Sequence, residues 1–369
     1  MRISGIRLRR LQLPLEPAFA AAWDPEPRRL LEATLVEVET DEGLTGIGSG
    51  DSMDGFERYA GLFVGCEALD LDRHARVLQT IAFHAGRYWP LEAALWDLAG
   101  KARGVPAAQL LGGAADRLPV YASTGELRAP AARAEAALAR REEGFRAVKL
   151  RIERERLDEG LAAVAAVREA VGGTMEIMVD LNQGWRMPGD VAPLLGYDGV
   201  LELATRLREL DVTWLEEPLA GHDVAGLARL RREGGLRLAG GEMARTPPEL
   251  DAYLDAGALD VFQPDAVLAV GLAQGRELAE RVLARGHWFT PHTWTNGIGL
   301  LANLHLAAGV GGGPFLELPF DPPGWTAERR DFMLAEPLRP DADGTLAVPA
   351  RPGLGFELDD DAVARYAVN

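Results

Sequence analysis

Two adjacent carboxylates, Glu216 and Glu217, end an apolar run in the segment TWLEEPLA, residues 213–220. As anions they repel each other, and burial raises the pKa of a carboxylate unless a positive group lies nearby. A cation is therefore expected beside this pair. Neighbouring residues of a strand point to opposite faces. We therefore expect one of the two to face the cation and the other to face away from it, toward the wall of the barrel that the later strands predict.

Ionisable side chains end most of the short apolar runs that follow Pro119. These runs alternate with helical stretches, which predicts right-handed βαβ units and a parallel sheet. The predicted strands are residues 119–124, 147–152, 176–182, 212–218, 237–242, 261–266, 287–293 and 315–320. Eight such units favour a (β/α)8-type barrel, in which functional groups lie at the carboxyl ends of the strands.

Three of these side chains, Asp180, Glu216 and Glu242, end consecutive predicted strands and should converge. Converging carboxylates are stable only beside a cation. A ligand set made of oxygen atoms alone, without paired cysteine or histidine, indicates Mg²⁺ rather than zinc. The sequence thus predicts a magnesium site, and structural salt bridges are the alternative.

The rest of the chain predicts a second, smaller domain. Alternating apolar and polar residues in IRLRRLQL and ATLVEVET predict antiparallel strands, followed by helices. The expected class is α/β: a modified TIM barrel (116–320) with an α+β capping domain formed by residues 1–115 and the returning C-terminal segment 321–369. The proline-rich segment 14–28 is predicted to be a mobile loop, whose Trp23 could close over a substrate.

Composition limits the possible partners. The net charge of −17 disfavours nucleic acid and anionic membranes, both of which select basic surfaces. The apolar runs are too short to span a membrane, no signal peptide is recognised, and Cys66 is the only cysteine, which fits a cytoplasmic protein. We expect a homo-oligomer, either a dimer or an octamer, that binds a small molecule.

Several motifs occur in a fixed order along the chain. They are ALWDLAGKARGVPAAQLLGG, VKLRI, VDLNQGW, WLEEP, GGE, PDA, PHT, LEL and LAVPARPGLGFELD. This ordered set resembles the mandelate racemase-like group of the enolase superfamily over essentially the whole chain. The resemblance implies Mg²⁺ on the three carboxylates, a His292–Asp265 dyad as acid and base, and Glu317 as a hydrogen-bonding acid near the substrate carboxylate.

The implied chemistry is abstraction of the proton α to a carboxylate, with Mg²⁺ and neighbouring donors stabilising the enediolate. His292 suits the role of base, since an unperturbed imidazole has a pKa of about 6.5. Lys149 is a candidate for the complementary acid or base. Arg151, Asn182 and Trp23 are candidates for substrate binding.

Arg151 stands where the family has its second base, a lysine. Arginine has a pKa above ~12 and is therefore a poor base. The sequence thus argues against racemisation by two opposed bases. The chain holds only two lysines, Lys101 and Lys149, so arginine stands almost everywhere a basic residue occurs. The alternative is that Arg151 reflects this general drift from lysine to arginine, with lost or altered activity.

The leading hypothesis is an acid-sugar dehydratase, a lyase that converts a hydroxy acid or acid sugar to a 2-keto-3-deoxy acid. One alternative is a racemase, an epimerase or a lactone cycloisomerase on the same platform. Another is a catalytically inactive protein that binds the metal and hydroxy acids.

Overall fold

An antiparallel sheet forms the N-terminal part of the computed structural model, which describes residues 1–368. Its strands are β1 (Ile3–Phe19), β2 (Arg28–Thr40) and β3 (Thr45–Gly48). The helices that follow are α1 (Leu71–His84), α2 (Trp89–Arg103) and α3 (Ala107–Leu110). The apolar face of β2, with Val36 and Val38, packs against α1 and α2, which confirms the predicted α+β character of this part.

The segment 14–28 is only partly a loop, so this prediction was too broad. Strand β1 continues through it to Phe19, because Leu15 and Phe19 are buried and hold the backbone extended against the protein core. Only residues 20–27 leave the strands, and they carry Trp23.

The parallel sheet contains every strand predicted from the apolar runs. Its strands are β4 (Arg117–Ser123), β5 (Ala147–Arg151), β6 (Glu176–Asp180), β7 (Trp214–Glu216), β8 (Arg237–Gly240), β9 (Val261–Phe262), β10 (Trp288–Phe289) and β11 (Leu316–Pro319). The spatial order is β10-β9-β8-β7-β6-β5-β4-β11. The Gly313 N–H donates to the Phe289 carbonyl at 2.6 Å and links the chain before β11 to β10.

Helices alternate with these strands and cover the sheet. They are α4 (Pro130–Glu142), α5 (Leu157–Val171), α6 (Tyr197–Glu209), α7 (Val224–Gly234), α8 (Pro247–Ala256), α9 (Leu272–Ala284) and α10 (Gly297–Val310). No helix within residues 1–368 combines the length and apolar character needed to cross a membrane.

Alternation along the strands divides the barrel interior into an apolar floor and a charged mouth. On β7, Trp214 lies in a small buried cluster with Tyr121, whereas Glu216 lies two residues further toward the carboxyl end. The same step of two residues separates buried Met178 from Asp180 on β6. Because side chains two residues apart share a face, each of these two strands supplies one apolar and one charged group to the interior.

The C-terminal segment returns to the N-terminal sheet, as the sequence predicted. It contains α11 (Ala327–Arg330), β12 (Thr345–Ala347), α12 (Asp360–Tyr366) and β13 (Ala367–Val368). Strand β13 pairs antiparallel with β1, and β12 pairs antiparallel with β4. The exact domain bounds at residues 115 and 320 stay a prediction.

Asp97 on α2 ties the N-terminal and C-terminal segments together. Its carboxylate accepts the Ile47 N–H and the Leu354 N–H, both at 2.8 Å, and the Lys101 ammonium lies at 2.6 Å. Asp97 is only 1% exposed, and burial raises the pKa of its carboxyl. The two backbone donors come from segments far apart in the sequence, so one side chain fixes both.

We expect Asp97→Asn to lower the free energy of unfolding by about 2 kcal/mol, since its amide can accept from only one of the two backbone donors. Urea unfolding followed by circular dichroism measures the change. Asp72→Asn, an exposed site on α1, serves as the control and should stay within about 0.5 kcal/mol of wild type. Equal stability of the two variants would contradict the role of Asp97.

Candidate active site

The structure brings the three predicted metal-binding carboxylates together at the mouth of the barrel. Asp180 ends β6, Glu216 ends β7, and Glu242 follows β8. One oxygen from each lies within 4.8 Å of the others. All three side chains are buried, so their charges are poorly screened by solvent.

Two basic side chains from β5 lie among these carboxylates. The Lys149 ammonium contacts Glu216, and it lies 2.8 Å from Glu317 and 3.5 Å from Asp180. The Arg151 guanidinium contacts Asp180. The chain itself therefore supplies part of the positive charge that the buried carboxylates require.

The geometry of the carboxylates fits a magnesium ion. The Glu242 Oε1 atom accepts the Trp185 indole N–H at 2.7 Å, whereas its buried Oε2 atom has no hydrogen-bond partner among the described residues. Burial raises the pKa of Glu242, and it raises the pKa of Glu216 to about 7. An unpaired oxygen in an all-carboxylate cluster is what a hard divalent cation would satisfy.

His292 and Asp265 form the predicted dyad. The His292 Nδ1 atom lies 2.9 Å from Asp265 Oδ2, and the His292 Nε2 atom lies 3.9 Å from Glu242 Oε2. The other oxygen of Asp265 accepts the Val267 N–H at 2.8 Å and the Asn303 amide at 3.0 Å. Asp265 is thus fixed in place, and it orients the imidazole so that Nε2 faces the acidic cluster.

The surroundings of His292 favour its protonated form. Burial alone lowers the pKa of His292, but Glu242 and the hydrogen bond to Asp265 outweigh burial and raise it to about 9. A cation beside Glu242 would offset part of this attraction, so that the imidazole becomes a base at a lower pH.

Glu317 and Lys149 form a buried pair beneath the acidic cluster. Glu317 accepts the Ser123 hydroxyl at 2.7 Å and the Thr293 N–H at 2.8 Å. Burial raises the pKa of Glu317, but Lys149 and His292 outweigh it and lower the pKa to about 2. These contacts favour the ionised form of Glu317 in this arrangement, and its role as a hydrogen-bonding acid near the substrate carboxylate stays a prediction.

Lys149 keeps its proton in this arrangement. Burial lowers the pKa of Lys149, but Glu216 and Glu317 outweigh burial and raise it above its usual value. The ammonium lies 5.5 Å from the centre of the Tyr121 ring, and the side chain is fully buried. These surroundings favour a role for Lys149 as a fixed positive charge and disfavour a role as base.

A cavity of about 140 Å³ opens beside the cluster and contains the predicted substrate-binding residues. The Arg151 Cζ atom lies 4.6 Å from the Trp23 ring centre, so the loop 20–27 reaches over the barrel mouth. Asn182 accepts from the Arg151 guanidinium at 3.0 Å, and its backbone N–H donates to Asp180 at 2.8 Å. The three predicted residues therefore lie together at the edge of the acidic cluster.

Sequence reasoning missed several residues of the site. Trp294 lines the cavity, and its indole N–H donates to Ser123 at 2.8 Å. Gln263 donates to Glu216 at 2.8 Å. Trp185 belongs to the VDLNQGW motif, and Gln263 lies within the predicted strand 261–266, directly before the PDA motif.

Glu217, the second carboxylate of the opening pair, does not join the cluster of metal-binding candidates. Its backbone has a φ of +46°, a conformation that is strained for a residue other than glycine. Burial, the nearby Glu242 and Asp180 raise its pKa well above the usual value. Its carboxylate packs against Gly184, where a Cβ atom would lie 2.3 Å from Glu217 Oε1.

We expect Glu216→Gln to weaken Mg²⁺ binding at least tenfold, because the substitution removes one negative ligand from the cluster. Isothermal titration calorimetry measures the affinity. Glu202→Gln, at an exposed position of α6, is the matched control and should bind Mg²⁺ as wild type does. Unchanged affinity in Glu216→Gln would remove this residue from the predicted ligand set.

We expect Mg²⁺ to lower the pKa of His292, since the ion would neutralise Glu242. Proton release on binding follows, so Mg²⁺ affinity should rise with pH up to about 9, the pKa of His292 in this structure. Nitrogen-15 NMR of the imidazole, assigned with His292→Asn, measures the pKa with and without Mg²⁺. An identical titration in both states would contradict the placement of the ion beside Glu242.

Comparison with protein families places most of the barrel in a known group. Residues 131–362 match the family model described as enolase C-terminal domain-like. The chain is 29% identical to D-galactarolactone cycloisomerase of Agrobacterium fabrum, and the alignment covers 99% of both proteins. It is also 29% identical to arabinonate dehydratase of Saccharolobus solfataricus, over 75% of this chain and 70% of that one.

A solved structure agrees over the whole length. A racemase from Streptomyces coelicolor A3(2), crystallised with bound magnesium, superposes with a TM-score of 0.84 at 28% identity. The superposition covers 99% of this chain and 100% of the racemase. The predicted fold class is thereby confirmed, and the chain belongs to the enolase C-terminal domain-like family, within the mandelate racemase-like group of the enolase superfamily.

Proposed function

We propose that this protein is a Mg²⁺-dependent acid-sugar dehydratase. It would remove the proton α to a carboxylate and eliminate the β-hydroxyl group, which yields a 2-keto-3-deoxy acid. Relatives named as dehydratases and as cycloisomerases support an enzyme of this chemistry. A cytoplasmic location and a dimeric or octameric assembly stay predictions.

The observation that carries the proposal is the position of His292 relative to the acidic cluster. Its Nδ1 atom faces Asp265 at 2.9 Å, and its Nε2 atom lies 3.9 Å from Glu242. Nε2 is therefore the nitrogen available to a substrate held at the cluster. Such an arrangement suits one base that acts on a proton beside a metal-bound carboxylate group.

Asp180, Glu216 and Glu242 would hold the magnesium ion. When bound, Mg²⁺ supplies stabilisation of the negative charge that develops on the substrate carboxylate. Gln263 and Trp185 orient Glu216 and Glu242 through hydrogen bonds of 2.8 and 2.7 Å. Such supporting contacts hold ligands in position before the ion or substrate arrives.

Arg151 cannot act as a second base, so its presence supports proton transfer at only one side of the substrate. Burial lowers the pKa of Arg151, but Asp180 and Glu216 outweigh burial and raise it above its usual value. The guanidinium also donates to the Thr124 carbonyl at 2.8 Å. A permanently charged group that only donates hydrogen bonds can bind a carboxylate or a hydroxyl, but it cannot accept the α-proton.

Elimination needs only this one acid–base group. His292 Nε2 accepts the α-proton, and the electrons of the Cα–H bond form a double bond to Cβ. The same imidazolium then protonates the β-oxygen as the Cβ–O bond breaks, so water leaves. The resulting enol becomes the 2-keto-3-deoxy acid, and the base returns to its starting state.

Incubation of the wild-type enzyme with mono- and diacid sugars in D₂O tests the reaction class. A dehydratase forms a 2-keto acid and releases water, whereas an epimerase exchanges the α-proton and retains every oxygen. Binding of hydroxy acids without turnover or exchange would indicate an inactive binding protein. Rapid epimerisation by the wild-type enzyme would contradict the one-base mechanism.

We expect His292→Asn to lose both turnover and α-proton exchange by at least a hundredfold, since Lys149 and Arg151, the basic groups beside the cluster, hold their protons. Mass spectrometry of substrate recovered from D₂O measures exchange, and a 2-keto acid assay measures turnover. His287→Asn is the control, because His287 precedes β10 at the opposite end of that strand. Residual exchange of one enantiomer by His292→Asn would identify a second working base.

A lactone or anhydro-sugar cycloisomerase is the second candidate, and the lining of the cavity favours it. Trp23, Trp185 and Trp294 line the cavity together with Met243 and Leu268. The polar part of the lining consists of Arg28, Arg151, Asn182, Glu242 and His292, so substrate hydroxyls can be satisfied on that side while the indole rings form an apolar wall. A cyclic substrate presents apolar C–H faces to such a wall.

The two candidates share the α-proton step and differ in the leaving group. If the β-oxygen belongs to a ring, its departure opens the ring and the product is an isomer of the substrate. If it is a hydroxyl, the product has lost one water. Product mass therefore separates the two, and a preference for cyclic over open-chain substrates would favour the cycloisomerase.

A further inference from the structure

A second cavity, larger than the one at the barrel mouth, lies on the outer side of the sheet. Its volume is about 490 Å³, and it is bounded by β8, by helices α7 and α8, and by the loops after β6, β7 and β8. Small-molecule sites commonly measure about 300–1,000 Å³. The space is thus sufficient for an organic ligand, and the proposed dehydration does not use it.

The cavity has apolar walls, an exposed entrance and a buried acidic floor. Leu219, Leu227 and Leu259 belong to the walls, and His222 and Arg245 lie exposed at the entrance. Glu217 lines the cavity and is only 5% exposed. A ligand that enters would therefore pass a polar rim, fill an apolar space and reach a carboxylate.

The Glu217 carboxylate lacks a donor inside the protein. Its Oε2 atom is buried and has no hydrogen-bond partner within residues 1–368. Lys149 and Arg151 contact other carboxylates, so neither supplies the missing hydrogen bond. A buried carboxylate oxygen without a donor is destabilising, and it is a rare feature of folded proteins.

The backbone holds Glu217 in this position despite strain. The left-handed conformation at φ +46° is stabilised by the hydrogen bond from the Glu217 N–H to the Ala239 carbonyl at 3.0 Å. Residues in strained conformations persist where the surrounding structure fixes them, often at functional sites. Strain, burial and an unpaired acceptor thus coincide at one side chain that faces a cavity.

We propose that this cavity binds a small molecule with a primary ammonium group on an apolar body. The ammonium would donate hydrogen bonds to Glu217 and bring the positive charge that this carboxylate lacks. The apolar body would fill the space between the leucines. The net charge of −17 also attracts cations to the surface of this protein.

The second cavity adjoins the cavity at the barrel mouth. Trp185 and Met243 line both cavities. The Trp185 indole N–H donates to Glu242, one of the candidate metal ligands, at 2.7 Å. A ligand in the second cavity would contact one face of Trp185, so binding should change the fluorescence of this tryptophan.

Binding of 2-phenylethylammonium to the full-length protein, measured by calorimetry in saturating Mg²⁺, tests the proposal. Magnesium occupies the acidic cluster and prevents the probe from binding there as a simple cation. We expect the ammonium to bind at least tenfold more tightly than 2-phenylethanol, which has the same body without the charge. No detectable binding, or equal affinity for both compounds, would overturn the proposal.

Three variants locate the binding site. Glu217→Gln replaces the carboxyl group that would accept from the ammonium and should weaken binding of the ammonium at least tenfold. Ala252→Phe narrows the cavity from an exposed position of α8 and should weaken binding similarly. Ala256→Phe, an exposed position on the same helix outside the cavity lining, is the control and should bind as wild type does.

The test does not depend on correct folding of Glu217→Gln. If Glu217→Gln fails to fold, Ala252→Phe and Ala256→Phe still decide the outcome, because both change exposed positions. Weaker binding in Ala252→Phe alone supports the proposed cavity. Equal affinities in these two variants would place the probe elsewhere and overturn the assignment.

Discussion

The convergence of buried carboxylates at one end of the barrel is the constraint on which the rest of this structure depends. Asp180, Glu216, Glu242, Asp265 and Glu317 are each at most 2% exposed. Lys149 and Arg151 supply two permanent positive charges, and His292 supplies a third when it is protonated. The carboxylates therefore outnumber the permanent cations by three, which leaves a deficit that a divalent ion would largely remove.

Strand alternation allows the same barrel to carry this charge and still have a hydrophobic core. The side chains of Tyr121 and Trp214 fill the interior below the charged layer, and their ring centres lie 5.6 Å apart. The indole N–H of Trp214 also donates to Glu216 at 3.1 Å. The apolar floor thus excludes water from below and contributes a hydrogen bond that positions a candidate metal ligand.

The sequence was informative where a residue's position along a strand determines its location in space. The order of the strands and the convergence of Asp180, Glu216 and Glu242 follow from spacing and from the rule that functional groups end barrel strands. The loop prediction for residues 14–28 was too broad, since the burial of Phe19 depends on tertiary partners. The aromatic wall at Trp294 was missed for the same reason.

Side-chain geometry also decides roles that residue types leave open. The sequence identified Glu217 as a neighbour of a metal-binding candidate, but it could not show the positive φ that turns Glu217 toward a separate cavity. Likewise, the residue type of Glu317 could not show that its carboxylate contacts Lys149, Ser123 and Thr293, which together favour its ionised form. Contacts of this kind depend on several strands at once, so no local pattern encodes them.

Arg151 illustrates how one substitution can restrict chemistry by geometry as well as by pKa. Its rigid guanidinium donates to the Thr124 carbonyl and to Asn182, and Trp23 covers it at 4.6 Å. A lysine at this position could rotate and lose its proton, whereas the planar guanidinium of Arg151 is held by several partners at once. On its side of the cavity, Arg151 therefore offers hydrogen-bond donors and cannot itself accept a proton. In the proposed mechanism, a proton removed by His292 must return from His292, and this restriction favours elimination, in which one group serves first as base and then as acid.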